Sequence, residues 1–332
     1  MRIKRYALNI LFIFLFLLSL AIIYENHFIN TPIVTHPDGV TFVVAPGESA
    51  RDVSNRLKAN TSMQHPLYFL EYLYFKGATR KIKAGEYLLK YGSTPSDILH
   101  QFIEGDVVIH AFTLVDGWSF YDVMHVLENN SLIKHDLSGL TNKTIMETLG
   151  VPNQSPEGQF FPNTYFYHYG DTDQAILIRA MKAMQFVLNE AWQVRAKDLP
   201  YKTPYEALIA ASIIEKEAAI SAERQLISGI IVNRLNRGMR LQMDPTLIYG
   251  LGSLYQKKLT KAKIKKNTPY NTYKHKGLPP TPICMPGKAA IEAALHPEKT
   301  EYLYFVAKGD GSHVFSKTLE EQQKAIKQYI SG

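Results

Sequence analysis

Two glutamates set in an apolar helical segment carry the most chemically suggestive signal in this chain. Glu215 and Glu217 stand in Ala211-Ser212-Ile213-Ile214-Glu215-Lys216-Glu217-Ala218, inside an otherwise apolar run from Tyr205 to Ile220 that also holds Ile209 and Ala210. A carboxyl group kept dry resists ionisation, so its pKa climbs toward neutrality. Such an acid is suited to protonating the bridging oxygen of a glycosidic bond. On a regular helix the two glutamates project about 200° apart, so one cleft can take only one of them unless the helix breaks between them. Glu217 shares its side with Ile209, Ala210, Ile213 and Ile220, whereas Glu215 falls among Leu208, Ala211 and Ala218. The bulkier apolar surroundings favour Glu217 as the acid. Glu215 reads as a salt-bridge or groove-wall residue beside an arginine. Taken by itself, a Glu-x-Glu pair around a lysine is more often a solvated helix face.

The helix that positions these residues begins after Pro204 and continues, with or without a break, through 223–237, where Gly238 supplies a C-cap. Before it, 172–196 reads as a long helix. Ahead of that, Glu157 to Tyr165 is too rich in Gly, Pro and aromatics for a plain helix, and Pro152 to Pro156 reads as a joint. The region 240–290, dense in Pro, Gly, Tyr and Asn, reads as irregular. Tyr302 to Val306 and His313 to Phe315 form a hairpin around Gly309-Asp310-Gly311-Ser312, and a last helix runs from Leu319 to Ile330.

Nearer the N-terminus, Val40 to Ala45 alternates as a strand and is followed by a capped helix over 50–59. Gly47-x-Ser49-x-x-Asp52-Val53-x-x-x-Leu57 matches Gly117-x-Ser119-x-x-Asp122-Val123-x-x-x-Leu127 position for position. An internal repeat and two independent strand-turn-helix units under the same capping chemistry explain this equally well. Between the copies, Ile82 to Tyr87 and a helix capped by Thr94 complete a small α+β unit.

Arg2, Lys4 and Arg5 precede an apolar run from Ala7 to Ile23, interrupted only by Asn9 and Ser19. Its length suits a membrane span of about 20 residues better than a signal-peptide core of about 7–15 residues. The basic flank stays in the cytoplasm, and Tyr24 marks the interface. For a bacterial chain, the expected placement is a single-pass protein of the cell inner membrane with a periplasmic ectodomain.

The 37 Lys and Arg against 30 Asp and Glu give a formal charge of +7, a mild preference for anionic partners. No nucleic-acid motif accompanies it, and nucleic acid is not an expected partner. The basic run Lys257, Lys258, Lys261, Lys263, Lys265 and Lys266 reads as solvated surface, with anionic wall polymer or lipid head groups as the alternative contact. Cys284 is the single cysteine, which rules out an internal disulfide and a Cys-rich metal site. There is no His-Glu-x-x-His, phosphate loop or Gly-x-Gly-x-x-Gly. Neither a cofactor nor a metal is expected.

Across nearly the whole length, ordered motifs resemble the YceG-like family of endolytic murein transglycosylases. They include Lys83-Ala84-Gly85-Glu86-Tyr87, Glu157-Gly158 through Pro162-x-Thr164-Tyr165, the Glu215/Glu217 segment and Asn233-Arg234-Leu235. Further matches are Met239-x-Leu241-Gln242-x-Asp244-Pro245-Thr246-x-x-Tyr249-Gly250, Tyr270-Asn271-Thr272-Tyr273, Gly277-Leu278-Pro279-Pro280-x-Pro282-Ile283 and Pro286-Gly287. Three positions depart from the family pattern. Asn163 stands for an Asp, Cys284-Met285 for a small residue plus Asn, and Gln322-Gln323 for His-Asn.

The resemblance implies an α+β fold. It comprises a transmembrane anchor (1–24), a small LysM-like glycan-binding region (40–150) and a larger α+β catalytic domain (151–332). It also implies cleavage of the MurNAc-GlcNAc bond with 1,6-anhydro ends, Glu217 as catalytic residue, and peptidoglycan synthases of the penicillin-binding class as partners. Glu157, Tyr165, Glu215, Gln242, Asp244, Tyr270, Asn271 and Tyr273 are the expected substrate-binding residues. Gln242, Asn271 and Tyr273 offer amide and hydroxyl groups for N-acetyl and hydroxyl recognition. Tyr165 and Tyr270 either stack on sugar rings or pack the core. Asp244 is the best second acid, though an Asx turn or helix cap is its more common use. A non-catalytic wall-binding scaffold and a hydrolytic muramidase are the competing readings.

Overall fold

The computed structural model describes residues 2–255 and 259–329. Helices and short strands mix throughout, giving an α+β protein whose contacts divide into two compact units. One comprises Met1–His110 with Phe166–Gly170, the other Ala111–Tyr165 with Asp171–Gly332.

The first unit opens with α1 (Arg2–Asn30). Within it Leu8–Asn30 is long and apolar enough to cross a membrane, with a mean hydropathy of 2.3 and none of that window buried. There follow β1 (Val40–Val44), α2 (Ala50–Asn60), α3 (Pro66–Phe75), β2 (Gly85–Leu89) and α4 (Pro95–Glu104). β1 and β2 pair antiparallel, Phe42 opposite Tyr87, so two helices bridge the two strands of one ribbon. Alternation puts Phe42, Val44, Tyr87 and Leu89 on one face, where they meet Val53 and Leu57 of α2, Phe69 and Leu73 of α3, and Phe102 of α4. The sequence around α3 gives no helical period, because apolar residues occupy both of its sides. β3 (His110–Thr113) then leads out of this unit.

In the second unit come α5 (Phe120–Glu128), α6 (Asn142–Thr148), β4 (Thr164–Tyr167), α7 (Asp173–Gln193), α8 (Pro204–Glu217) and α9 (Arg224–Asn236). The rest are α10 (Asp244–Leu251), α11 (Lys261–Ile264), α12 (Lys288–Leu295), β5 (Tyr304–Ala307), β6 (His313–Ser316) and α13 (Leu319–Tyr329). β3 pairs with β4, and β5 with β6 as an antiparallel hairpin. α8 is the central helix. Every residue from Ala207 to Ile214 is buried, as an all-round apolar helix requires, and it packs chiefly on α12 and also on α9, α7 and α10.

The two Gly-x-Ser segments fold alike. Gly47 and Gly117 both adopt positive φ, 77° and 80°, a turn conformation costly for other residues. Ser49 and Ser119 then accept the amides of Asp52 and Asp122 at 3.2 and 3.3 Å.

Several boundaries differ from composition and pattern. The region 111–150, grouped by sequence with the N-terminal strands, packs with the second unit. Its α5 buries Phe120, Val123, Met124 and Leu127 there, with Phe120 stacked on Phe160 at 5.5 Å. The region 240–290 holds α10, whose Pro245 and Gly250 mask its period, and α11, a single turn too short to show one. β5 starts at Tyr304 rather than Tyr302, because the Asn233 amide holds the Thr300 and Tyr302 carbonyls at 2.8 and 3.0 Å. Lys257, Lys258 and Ile330 lie outside the described residues.

Close helix packing places one strict demand on the sequence. A Cβ on Gly229 of α9 would lie 2.3 Å from the Glu298 carbonyl oxygen and 2.9 Å from Thr300 Cγ2. Gly229→Ala is expected to destabilise the protein by about 1–3 kcal/mol through overpacking, read as a lower urea midpoint at unchanged slope.

Candidate active site

Thr203 caps α8 by accepting the Glu206 amide at 3.2 Å, and Pro204 occupies the first turn. The helix ends at Glu217, because Ala218 turns to φ −87°, ψ 92° before a short 3₁₀ turn at Ser221–Glu223 and then α9. The break falls just after the glutamate pair, so the two side chains part company. Glu215 accepts the Gly287 amide at 3.0 Å and pairs with Arg224 at 3.4 Å, with its side chain 8% exposed. It is a structural tie, paired with an arginine as its sequence position suggests.

Glu217 instead points into a cleft of about 440 Å³ shared with Arg234, Gln242, Met243, Asp244, Tyr273, Tyr304, Phe305, His313 and Gln322. The residue keeps a partial opening to that cleft, while its carboxyl end is densely surrounded by protein. Burial pushes its pKa up to about 8; the negative charge of Asp244 adds to the rise and the Arg234 guanidinium opposes it. No hydrogen bond to the Glu217 carboxyl occurs among the described residues, so its proton and lone pairs are available to a ligand.

The facing wall is stitched from two segments. The Thr272 hydroxyl accepts the Met243 amide at 2.9 Å and lies 2.8 Å from the Thr246 hydroxyl, and the Thr272 carbonyl accepts the Gln242 amide at 3.1 Å. Gln242 sits at φ 54°, a left-handed conformation that costs free energy in a non-glycine residue and clusters at functional sites. Asp244 is the first residue of α10, a favourable place for negative charge. It is not a cap, since Met243 precedes the helix with no side-chain cap bond. Its carboxylate takes a hydrogen bond from the Tyr273 hydroxyl, and burial, followed by that bond, raises the Tyr273 pKa.

Arg234 on α9 had a place in the sequence motifs but no role. Only 6% exposed, it donates from Nε to the Leu303 carbonyl at 2.6 Å and from Nη1 to the Leu241 carbonyl at 2.5 Å and Gln242 Oε1 at 3.4 Å. Its guanidinium carbon lies 5.1 Å from the Tyr304 ring centroid. A charged residue in a buried helix position was the available signal. Gln322, one of the departures, donates to the Phe305 carbonyl at 3.0 Å in the cleft wall. His313 is held by Glu223 at both its amide, 3.0 Å, and its ring, 2.7 Å, in keeping with a structural role.

The other expected residues lie elsewhere. Asn271 is fully buried and its amide holds the Ile264 and Lys266 carbonyls at 2.9 and 2.6 Å. It shapes the loop that delivers Tyr273, whose amide it accepts at 3.0 Å. Tyr165 is buried with its hydroxyl on the Phe161 carbonyl at 2.5 Å. Tyr270 bonds Thr281 at 2.9 Å and meets the Tyr249 ring edge-on at 4.8 Å; both tyrosines serve packing. Asn163 is exposed and accepts the Thr164 amide at 2.8 Å, and Cys284 bonds the Ser212 carbonyl from the core at 3.3 Å.

A larger cavity of about 870 Å³ has Glu157 in its lining. Burial lifts that carboxyl to about 7 against the lowering effect of its hydrogen bonds. Both of its oxygens are taken, by the Phe120 amide and the Tyr249 hydroxyl, each at 3.0 Å. Size therefore favours the Glu157 cavity, while chemistry favours the Glu217 cleft, where the acid is unengaged and flanked by a second carboxylate, a cation and a phenol. Among the described residues no cluster of three metal-ligating side chains occurs.

An α+β scaffold that presents to an open cleft a buried carboxyl free of hydrogen bonds among the described residues defines a candidate acid–base site. The chain belongs to the YceG-like family, whose model matches residues 42–328. It is 33% identical over 314 residues to the endolytic murein transglycosylase of Bacillus subtilis (strain 168), covering 88% of this chain and 85% of that protein. The endolytic murein transglycosylase of Streptococcus pneumoniae (serotype 2, strain D39) is 26% identical over 88% of this chain, which spans 59% of that longer relative. The crystal structure of a YceG-like protein from Listeria monocytogenes superposes with a TM-score of 0.51 at 28% identity, covering 87% of this chain and 99% of that one.

Proposed function

We propose that this chain is a lytic transglycosylase of murein, anchored in the membrane by α1, that cuts glycan strands internally at the MurNAc-GlcNAc bond. The single observation that carries the reading is the Glu217 carboxyl, free of hydrogen bonds among the described residues and lining a cleft with Arg234, Gln242, Asp244 and Tyr273, where burial raises its pKa to about 8. The names of the relatives point to the same substrate.

Glu217 donates its proton to the glycosidic oxygen as that bond breaks, and positive charge develops at C1 of the muramic acid. The resulting Glu217 carboxylate then takes the proton of the sugar's C6 hydroxyl, whose oxygen closes onto C1. One bond breaks, one forms, the proton count is unchanged and no water is consumed. The product is a 1,6-anhydro end, and cutting strands in this way would terminate their elongation. Asp244 supplies negative charge near the developing cation, Tyr273 orients Asp244, and Arg234 and Gln242 shape the wall. Glu157 supports the neighbouring cavity. The βααβ arrangement of β1, α2, α3 and β2 supports a LysM-like, glycan-binding role for the first unit. A wall-side location of both units follows from the basic flank of α1, and a synthase would be the natural source of fresh strands.

The test is mass analysis of purified glycan strands after digestion. Anhydro ends from wild type and none from Glu217→Gln are expected. Reducing ends carrying oxygen-18 from labelled water would replace this reading with hydrolysis, and intact strands with wild type would leave a binding scaffold.

Asp244→Asn gives an independent check. The Asp244 charge raises the Glu217 pKa, so its removal lowers that pKa and narrows the range in which the acid is protonated. The alkaline limb of kcat/KM against pH is expected to move to lower pH.

A further inference from the structure

The first unit contains a helix that is apolar on both sides. α3 buries Phe69, Tyr72 and Leu73 and turns Leu67, Tyr74 and Phe75 outward at 63%, 75% and 74% exposure. Positions 67, 68, 71, 74 and 75 share one face, on which Glu71 is the only charge. A helix at the water-facing surface of a folded unit normally carries polar residues on that side. Scattered exposed apolar residues are ordinary, whereas a contiguous set marks an interaction surface.

This face is continuous with the candidate membrane span. The Tyr68 ring meets Tyr24 edge-on at 5.3 Å and Phe28 at 5.8 Å, and both belong to the last two turns of α1. Tyr24 follows directly on the exposed apolar residues of that helix. The outward face of α3 therefore begins beside the last two turns of the candidate span. Exposed Lys76, Arg80 and Lys81 follow α3 within six residues. An apolar stretch, an aromatic belt and then cations is the succession found at a bilayer boundary. The chain leaving α1 is also tied into the unit. The Thr31 amide bonds the Phe28 carbonyl at 3.3 Å, the Ile33 amide bonds the Ser93 carbonyl at 2.9 Å, and Ile33 and Val34 are buried.

We propose that α3 seats the first unit on the bilayer that α1 crosses, with Leu67, Tyr74 and Phe75 in the boundary between head groups and acyl chains and Lys76, Arg80 and Lys81 on lipid phosphates. The unit is then held against the membrane surface instead of swinging on a tether. This inference rests on α1 being an uncleaved span.

The experiment uses the full chain in nanodiscs of phosphatidylglycerol and phosphatidylethanolamine. A nitroxide is placed on Tyr74→Cys, and in a second sample on Phe16→Cys in α1. Cys284 is buried and leaves the introduced thiol as the accessible one. The label at 74 is expected to collide several-fold more with oxygen than with a water-soluble nickel chelate, and to lose that preference when Leu67→Ser and Phe75→Ser are added. An acyl-chain signal at 16 with a water-like signal at 74 would overturn the seating while leaving the span intact. Spin–spin broadening at 74 would overturn it in favour of a second copy of the chain. A water-like signal at 16 would remove the span itself.

Discussion

Glu217→Gln is expected to lower the rate of glycan cleavage by about 10²–10⁴-fold, the contribution of one positioned acid–base side chain. Glutamine keeps the shape of the side chain and offers no proton of suitable acidity. The same group sets the pH profile. With its pKa pushed up to about 8, the acid is protonated at neutral pH, and kcat/KM is expected to fall as pH rises through about 8. A profile without that limb, or cleavage undiminished in the variant, would remove Glu217 from the mechanism.

In the Glu217→Gln variant, stability should move in the opposite sense to activity. The folded-state pKa of Glu217 lies above its ordinary value of 4.5, so between these values the folded protein holds more proton than the unfolded chain. The contribution of this group is fully present below about 4.5 and is lost as pH rises through about 8. Glu217→Gln lacks that loss. Its unfolding midpoint is therefore expected to gain on wild type as pH is raised from 5 to 9, the usual conflict between a buried acid's function and the stability of the fold.

Glu217 is legible in the sequence as a candidate acid because its signal is local. Glu215-Lys216-Glu217 interrupts an otherwise apolar run, and the helix phase alone separates Glu217 from Glu215. The facing wall was legible as chemistry but not as geometry. Gln242, Asp244 and Tyr273 converge because Thr272 stitches 242–246 to the 271–273 loop, a set of tertiary bonds that no periodicity announces. Asn271, two residues before Tyr273, is buried instead with its amide on the Ile264 and Lys266 carbonyls. α3 was missed because a helix lined with aromatics on both sides has no period to read. That feature is also what makes its outer face informative.

Arg234 should produce the second large effect, and it tests whether the cleft is held by charge or by hydrogen-bond geometry. Its guanidinium satisfies the Leu303 and Leu241 carbonyls from a buried position. Arg234→Met fills much of the volume but leaves these acceptors unpaired. At roughly 1–3 kcal/mol for each orphaned group, a loss on the order of 3 kcal/mol is expected, read as a lower urea midpoint at unchanged slope. The folded fraction should also show its alkaline limb displaced to higher pH, because the Arg234 charge lowers the Glu217 pKa. Arg234→Lys separates the two contributions. A lysine retains a positive charge near Glu217 and so keeps the limb near its wild-type position, but it lacks the rigid planar fork that serves two carbonyls at once. Stability should therefore remain low while the pH limb returns. Restoration of stability by lysine would mean that charge, not the fork, secures the wall. Since Asp244→Asn moves the limb down and Arg234→Met moves it up, the two opposed charges bracket the acid, and the operating pH of the site is set by their difference together with burial.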